Sequence, residues 1–142
     1  MMDLRERMAI ETECGRLVAG YVFLVDRRRY DELVDLFTDD CVFERPDARV
    51  EGAAALRDLM AARPAHIATR HLCGLPFFEK VEADEAVAVT YTVMFLGEGT
   101  DEGPNEVAGA AGLAEFHDLF RRTADGWRIA QRTAKPAMIV KK

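Results

Sequence analysis

Cysteine is scarce in this sequence, and its placement excludes two common ways of stapling a small domain. The 142 residues contain three cysteines, Cys14, Cys41 and Cys73, at long spacing and without a CxxC pair. Disulfide frameworks use an even number of cysteines, and zinc knuckles use closely paired ones. We therefore predict neither, and expect three reduced cysteines that serve as small core residues.

Long apolar runs and an excess of positive charge are also missing. No apolar stretch reaches the roughly 18 residues of a membrane helix, and residues 1–8 carry charges of both signs where a signal peptide would be apolar. The net charge is −6, and the one dense basic cluster, Arg27 to Arg29, is typical of a solvated turn. We expect a cytoplasmic protein with no membrane or nucleic-acid partner, because duplex binding needs clustered Lys and Arg.

The common catalytic and cofactor signatures are absent as well. The sequence has no GxSxG, no HExxH, no glycine-rich phosphate loop and no dinucleotide fingerprint. We therefore predict that the protein uses no cofactor, and any chemistry must come from isolated polar side chains.

The composition is that of a globular protein, with 49% hydrophobic and 31% charged residues. The length matches one domain, which we place over residues 1–142. Apolar periodicity predicts helices over residues 5–27, 31–37 and 53–62. Strand patterns follow over residues 41–44, 67–81 (with an irregularity at 74–76), 86–96, 107–122 and 127–133. Whether the glycine-rich connection 97–105 acts as a lid is left open.

This order of elements, with helices first and strands second, predicts an α+β fold. Long strands with glycine interruptions tend to curl. We predict a cone-shaped, curved antiparallel sheet, packed against three helices of the N-terminal half and enclosing a pocket at its wide end.

His71 is the first candidate for chemistry in that pocket. It lies in the middle of a predicted strand, on the face shared by Thr69, Cys73 and Leu75. A neutral imidazole that faces the pocket is suited to act as a general base. A histidine bonded only to backbone is the structural alternative.

Asp26 and Tyr21 are the candidates on the first helix. A carboxylate close to a helix C-terminus faces the negative end of the dipole. Either the arginines 27–29 compensate for it, or Asp26 turns inward and holds a histidine in one tautomer. Tyr21 lies about 140° around the helix from Asp26. It is best explained as a core aromatic, whose hydroxyl needs a partner that a ligand carbonyl would supply.

Segments 21–31, 36–43 and 125–129 resemble the SnoaL-like branch of the nuclear transport factor 2-like superfamily, over essentially the whole chain. Segment 70–81 is similar to the histidine strand of the scytalone dehydratases. These enzymes resemble bile-acid dehydratases and hexachlorocyclohexane dehydrochlorinases in using an Asp–His pair. The resemblance implies that Asp26 and His71 form this pair, and that Tyr21 matches a tyrosine five residues before the aspartate of the bile-acid enzymes.

The chain also departs from these relatives. Segment 109–113 lacks the second histidine of scytalone dehydratases, and His117 lies several residues too late and is expected to face solvent. Arg45 stands where ketosteroid isomerases carry an aspartate base. One Asp and one His make a poor metal site, so none is predicted. Arg132, on the last strand, is predicted to bind an anionic substrate group.

These observations lead to one preferred function and two alternatives. The preferred one is a cofactor-independent lyase, of the dehydratase type, that acts on a small hydrophobic cyclic carbonyl compound through Asp26, His71 and Tyr21. The alternatives are a non-catalytic binding or assembly module and the small subunit of a ring-hydroxylating oxygenase. The resemblance implies a homodimer or a homotrimer.

Overall fold

A computed structural model describes residues 1–100 and 102–141 of the chain. Asp101, in the connection 97–105, and Lys142, at the end of the predicted domain, lie outside the described residues. The helices and strands follow in the order α1 (Leu4–Asp26), α2 (Tyr30–Val34), β1 (Phe37–Arg45), β2 (Ala48–Glu51), α3 (Ala53–Ala61), β3 (Ile67–Cys73), β4 (Phe77–Val81), β5 (Glu85–Glu98), β6 (Ala110–Thr123) and β7 (Gly126–Ile139).

The strands form one seven-stranded sheet in the order β2-β1-β7-β6-β5-β3, with β4 also paired to β5. The predicted α+β class and curved, mostly antiparallel sheet are confirmed, with one exception: β1 runs parallel to β7. Strands joined by a tight turn must be antiparallel. β1 and β7 lie far apart along the chain, so no turn fixes their relative direction.

The curl of the sheet has a local cause. The strand register shifts within the β1–β7, β4–β5, β5–β6 and β6–β7 pairs. Each such irregularity bends a strand and increases its twist. The concave face that results packs against α1 and forms the core.

Helix α1 owes its position to a cap and an apolar stripe. The side chain of Asp3 accepts a hydrogen bond from the backbone N–H of Glu6 at 2.9 Å, which satisfies a free donor of the first turn. The buried residues of α1 recur at helical spacing and include Ile10, Cys14, Leu17 and Tyr21. The stripe turns one face of α1 to the sheet, and it carries Tyr21 and Asp26 inward.

The end of α1 is fixed by an unusual residue. Arg28 adopts a left-handed backbone conformation with φ of 58°, which stops the helix. Its guanidinium donates hydrogen bonds to the carbonyl oxygens of Pro64, at 2.7 Å, and Ile67. The turn after Asp26 is thereby tied to the start of β3.

Some boundaries differ from the predictions. α2 ends at Val34 instead of residue 37, because β1 already begins at Phe37, and β2 was not predicted. The irregularity at 74–76 is confirmed as the break between β3 and β4. β7 continues past Pro136 because its pairing with β1 ends at Thr133. Beyond that point one edge of β7 is free, and a proline without an N–H is tolerated there.

The three cysteines are free thiols; Cys14 and Cys41 are buried, and Cys73 is half-buried. Burial raises the pKa of Cys14 to about 12, so its reactive thiolate is scarce at neutral pH. None of the helices in residues 1–100 and 102–141 is both long and apolar enough to cross a membrane.

Candidate functional site

A cavity of about 380 Å³ opens at the wide end of the sheet. Its size falls within the range of small-molecule sites. His71 of β3 and Tyr21 of α1 both line it. The strand pattern predicted a pocket-facing position for His71, and the helix spacing predicted a core aromatic for Tyr21. Most of the remaining wall is apolar and includes Phe43, Met94, Leu113, Phe116 and Ala134.

A second, larger groove of about 850 Å³ runs along the N-terminal half of α1 and the connection between β3 and β4. Neither His71 nor Tyr21 lines this groove. We therefore place the candidate site in the smaller cavity, where the polar residues converge.

The structure brings Asp26 and His71 together. His71 Nδ1 lies 2.6 Å from Asp26 Oδ1, and the backbone N–H of His71 donates to Asp26 Oδ2 at 2.7 Å. The predicted hydrogen-bond contact is confirmed. One carboxylate thus binds both the ring and the backbone of the same residue, which fixes the orientation of the imidazole.

This contact also selects the tautomer of His71. A carboxylate only accepts hydrogen bonds, so Nδ1 must carry the proton. In the neutral ring the lone pair is then on Nε2. No described residue forms a hydrogen bond with Nε2, and the side chain is 14% exposed at the cavity wall. His71 can therefore accept a proton from a bound molecule.

Two further residues, Thr69 and Arg63, support Asp26 and were missed in the sequence. The Thr69 hydroxyl donates to Asp26 Oδ1 at 2.8 Å, and it accepts a hydrogen bond from Arg63 Nη2 at 2.8 Å. Strand alternation could have identified Thr69, because it shares the strand face of His71. No sequence pattern could have identified Arg63, which follows α3.

The structure does not show the alternative arrangement, in which the arginines of segment 27–29 compensate for the charge of Asp26. Arg29 pairs with Glu32 at 2.7 Å, Arg28 binds backbone carbonyls, and Arg27 stacks on Phe23 at 3.9 Å. The hydrogen bonds to Asp26 come from Thr69 and His71 instead.

Tyr21 is buried within an aromatic cluster, with its ring 5.6 Å from Phe116 and 6.3 Å from Phe43 between centroids. Burial raises the pKa of Tyr21, and the positive charges of Arg132, Arg45 and Arg63 oppose this shift. No described residue forms a hydrogen bond with its hydroxyl. Tyr21 is therefore a neutral phenol whose donor is free for a ligand.

Arg132 lies on β7, the last strand, as the sequence indicated. It forms a fully buried, bidentate ion pair with Asp118, at 2.7 and 2.8 Å. Its guanidinium lies 4.4 Å from the ring of Tyr21 and 4.0 Å from that of Phe116. Arg132 does not line the cavity, and Asp118 already neutralises its charge. Nη1 of Arg132 has no hydrogen-bond partner in the described part of the chain, and binding of an anionic substrate group by Arg132 stays a prediction.

The remaining candidates lie at the cavity mouth or outside it. Arg45 lines the cavity and donates from Nε to Asp47 Oδ1 at 2.8 Å. His117 pairs with Glu115 at 2.9 Å, is 34% exposed and lies outside the cavity. Within residues 1–100 and 102–141, no group of three His, Cys, Asp or Glu side chains is arranged as metal ligands.

Comparison with solved structures shows the same fold in several proteins. An NTF2-like protein with a cystatin-like fold from Novosphingobium aromaticivorans is 26% identical, with a TM-score of 0.75, over 94% of this chain and 90% of its own. A candidate scytalone dehydratase from the same organism is 17% identical, with a TM-score of 0.81, over 99% and 92%. The beta subunit of a candidate aromatic-ring-hydroxylating dioxygenase, also from that organism, is 20% identical, with a TM-score of 0.77, over 95% and 94%.

The search of curated proteins finds no significant match. The family profile described as a SnoaL-like domain matches residues 6–133, which include all the residues that surround the Asp26–His71 contact. The chain therefore belongs to the SnoaL-like family, with the fold of the nuclear transport factor 2-like proteins.

Proposed function

We propose that this protein is a cofactor-independent lyase of the dehydratase type, acting on a small hydrophobic cyclic carbonyl compound. The observation that carries the proposal is the Asp26–His71 contact at the wall of a mostly apolar cavity, with Nε2 of His71 left as a base. A merely structural histidine has no need of an open nitrogen beside a cavity.

The proposed reaction uses three side chains. Nε2 of His71 removes the proton next to the substrate carbonyl, and the electron pair of that C–H bond forms an enolate. The Tyr21 hydroxyl donates a hydrogen bond to the enolate oxygen as negative charge develops on it. Asp26 stabilises the imidazolium that forms.

The second half of the reaction returns the proton. The enolate collapses to a conjugated carbonyl, the bond to the β-hydroxyl breaks, and the imidazolium of His71 protonates the departing oxygen. Water leaves, and His71 is neutral again with its proton on Nδ1. The cycle consumes no oxidant or reductant.

The test begins with a panel of cyclic β-hydroxy carbonyl compounds. Binding is measured by thermal shift, and turnover by the ultraviolet absorbance of the conjugated product. We expect His71→Ala to lower kcat by about 10²–10⁴-fold, because it removes the base. Asp26→Asn should also lower kcat, and the double variant should be little worse than either one, because both residues serve one proton transfer.

His117→Ala is the matched control, since it removes a histidine outside the cavity and should leave kcat unchanged. Undiminished turnover by His71→Ala would contradict the proposed mechanism. If panel compounds bind equally well to wild type and His71→Ala and none is turned over, a non-catalytic binding module is the better description.

The oxygenase subunit remains the second candidate function. The similarity to a dioxygenase beta subunit concerns the fold, but exposed apolar residues on the outer face of the sheet, such as Leu72 and Tyr91, would suit a protein partner. Co-purification of a large subunit carrying redox centres would favour this candidate. We propose instead that the outer face joins copies of this chain in a homodimer or homotrimer.

A further inference from the structure

Arg45 is the one lining residue of the cavity, within the described part of the chain, that carries a permanent charge. No carboxylate lines the same cavity, since Asp26 lies behind His71 and Asp118 is buried against Arg132. The cavity wall is therefore mostly apolar, with the polar groups of Tyr21, His71 and Thr92 and a single permanent cation.

The strand geometry explains how Arg45 reaches this place. Arg45 is the last residue of β1 and lies two positions after Phe43, so both side chains are on the same face of the strand. Phe43 is buried against Tyr21, whereas the side chain of Arg45 is 30% exposed. The stem of Arg45 thus follows the wall, and its guanidinium lies between the interior and solvent.

Only one nitrogen of the Arg45 guanidinium has a hydrogen-bond partner among the described residues. Nε donates to Asp47, whose side chain is 74% exposed, and no described residue accepts a hydrogen bond from Nη1 or Nη2. An exposed ion pair of this kind is weak. Arg132 differs from Arg45, because it is fully buried, does not line the cavity and is bound by Asp118 through two nitrogens.

The positive charge of Arg45 also acts on the Tyr21 hydroxyl at the cavity wall. Burial raises the pKa of Tyr21, and Arg45 is one of the cations that oppose this shift. A ligand that contacts the Tyr21 hydroxyl therefore lies within the field of Arg45.

We propose that Arg45 determines substrate specificity by binding a carboxylate at the cavity mouth, so that the substrate is a small cyclic carbonyl compound that also carries an acid group. The paired N–H groups of a guanidinium match the two oxygens of a carboxylate. The inference rests on the proposed function in one respect only, namely that the substrate occupies this cavity.

The experiment compares two probes of nearly the same shape, 2-naphthoate and the neutral 2-naphthamide, by isothermal titration calorimetry at neutral pH and low salt. Wild type should bind the acid about tenfold more tightly than the amide, the ratio expected from one charge-assisted contact. Arg45→Gln should reduce this ratio to near one through weaker binding of the acid alone. Arg45→Lys should retain part of the ratio, because it keeps the charge but loses the fork.

Arg49→Gln is the matched control. Arg49 lies on β2, makes ion pairs with Glu51 and Glu44, and does not line the cavity. Arg49→Gln changes the net charge by the same amount as Arg45→Gln does, and it should leave the acid-to-amide affinity ratio as in wild type. An unchanged ratio in Arg45→Gln, or an equal loss in Arg49→Gln, would overturn the proposal.

The two proposals fail in different ways. A wild-type protein that binds both probes equally, but loses turnover in His71→Ala, would overturn the carboxylate site and leave the lyase intact. A wild-type protein that binds neither probe overturns the carboxylate site as placed here. Far-UV circular dichroism of each variant verifies that Arg45→Gln has kept its fold.

Discussion

The Asp26 carboxylate accepts hydrogen bonds from the Thr69 hydroxyl, the His71 ring and the His71 backbone. Its position in the last turn of α1 is unfavourable for a negative charge. Hydrogen bonds to the charged form offset that cost, and Arg63 adds a positive charge one step away through Thr69. Asp26 is thus stabilised by β3 and by Arg63, which follows α3, without any arginine of the segment 27–29.

Thr69→Val tests this support, because valine has nearly the shape of threonine but no hydroxyl. The substitution removes one donor from Asp26 and leaves Arg63 Nη2 without its acceptor. We expect a loss of about 1–3 kcal/mol in the free energy of unfolding, the usual cost of an unsatisfied buried polar group. Urea denaturation followed by circular dichroism measures it.

Thr69→Ser keeps the hydroxyl and should recover most of the loss. Thr12→Val, at an exposed position of α1, is the control for the change in side-chain type. A midpoint for Thr69→Val equal to that of wild type would show that the hydrogen bonds of Thr69 add nothing to stability.

At the scale of elements, the strand alternation of β3 and the resemblance of segments 21–31 and 70–81 to SnoaL-like proteins were enough to pair His71 with Asp26. They could not reveal Asp118 as the partner of Arg132. The two residues face each other across the β6–β7 hairpin, whose register shifts between Leu119 and Phe120. Side-chain pairing across strands depends on register, and a bulge cannot be placed from periodicity alone.

The boundary between α2 and β1 was missed for a related reason. Residues 33–37 carry apolar side chains at a spacing that suits a helix, and a short apolar run also suits a strand. Pairing of Phe37 with Ile129 of β7 decides the matter in favour of β1. This contact joins residues that lie far apart in the chain, so no local sequence pattern predicts it.

The cavity exists because β6 and β7 carry small residues where they pass its wall, among them Ala114 and Ala134. Ala134→Phe should fill part of this space with a ring. We expect binding of 2-naphthoate to be lost, while the far-UV circular dichroism spectrum stays that of the wild type. Calorimetric titration gives the affinity directly.

Ala61→Phe, on the exposed end of α3, adds the same ring away from the cavity and should leave binding intact. If Ala134→Phe binds the probe as tightly as wild type does, the ligand lies elsewhere, and the groove along α1 becomes the next place to look.

At the scale of the whole molecule, the outer face of the sheet carries large apolar side chains that are exposed. Leu72, Phe77 and Tyr91, on three strands, are 71%, 72% and 61% exposed. Leu72 lies opposite Val93 and Phe77 opposite Val89, so these side chains form one patch across β3, β4 and β5. Contiguous apolar patches on a protein surface mark interaction sites.

We expect this patch to join two or three copies of the chain, so the molar mass in solution should be that of a dimer or a trimer. Size-exclusion chromatography with light scattering should give a dimer or trimer for wild type. Leu72→Lys combined with Tyr91→Lys should give a monomer with an unchanged circular dichroism spectrum, because charges are costly in the centre of an interface. Phe23→Lys, at a half-exposed position of α1, introduces the same charge elsewhere and should leave the assembly intact. A wild-type protein that is monomeric at micromolar concentration would contradict self-association, and the patch would then be free for a different partner.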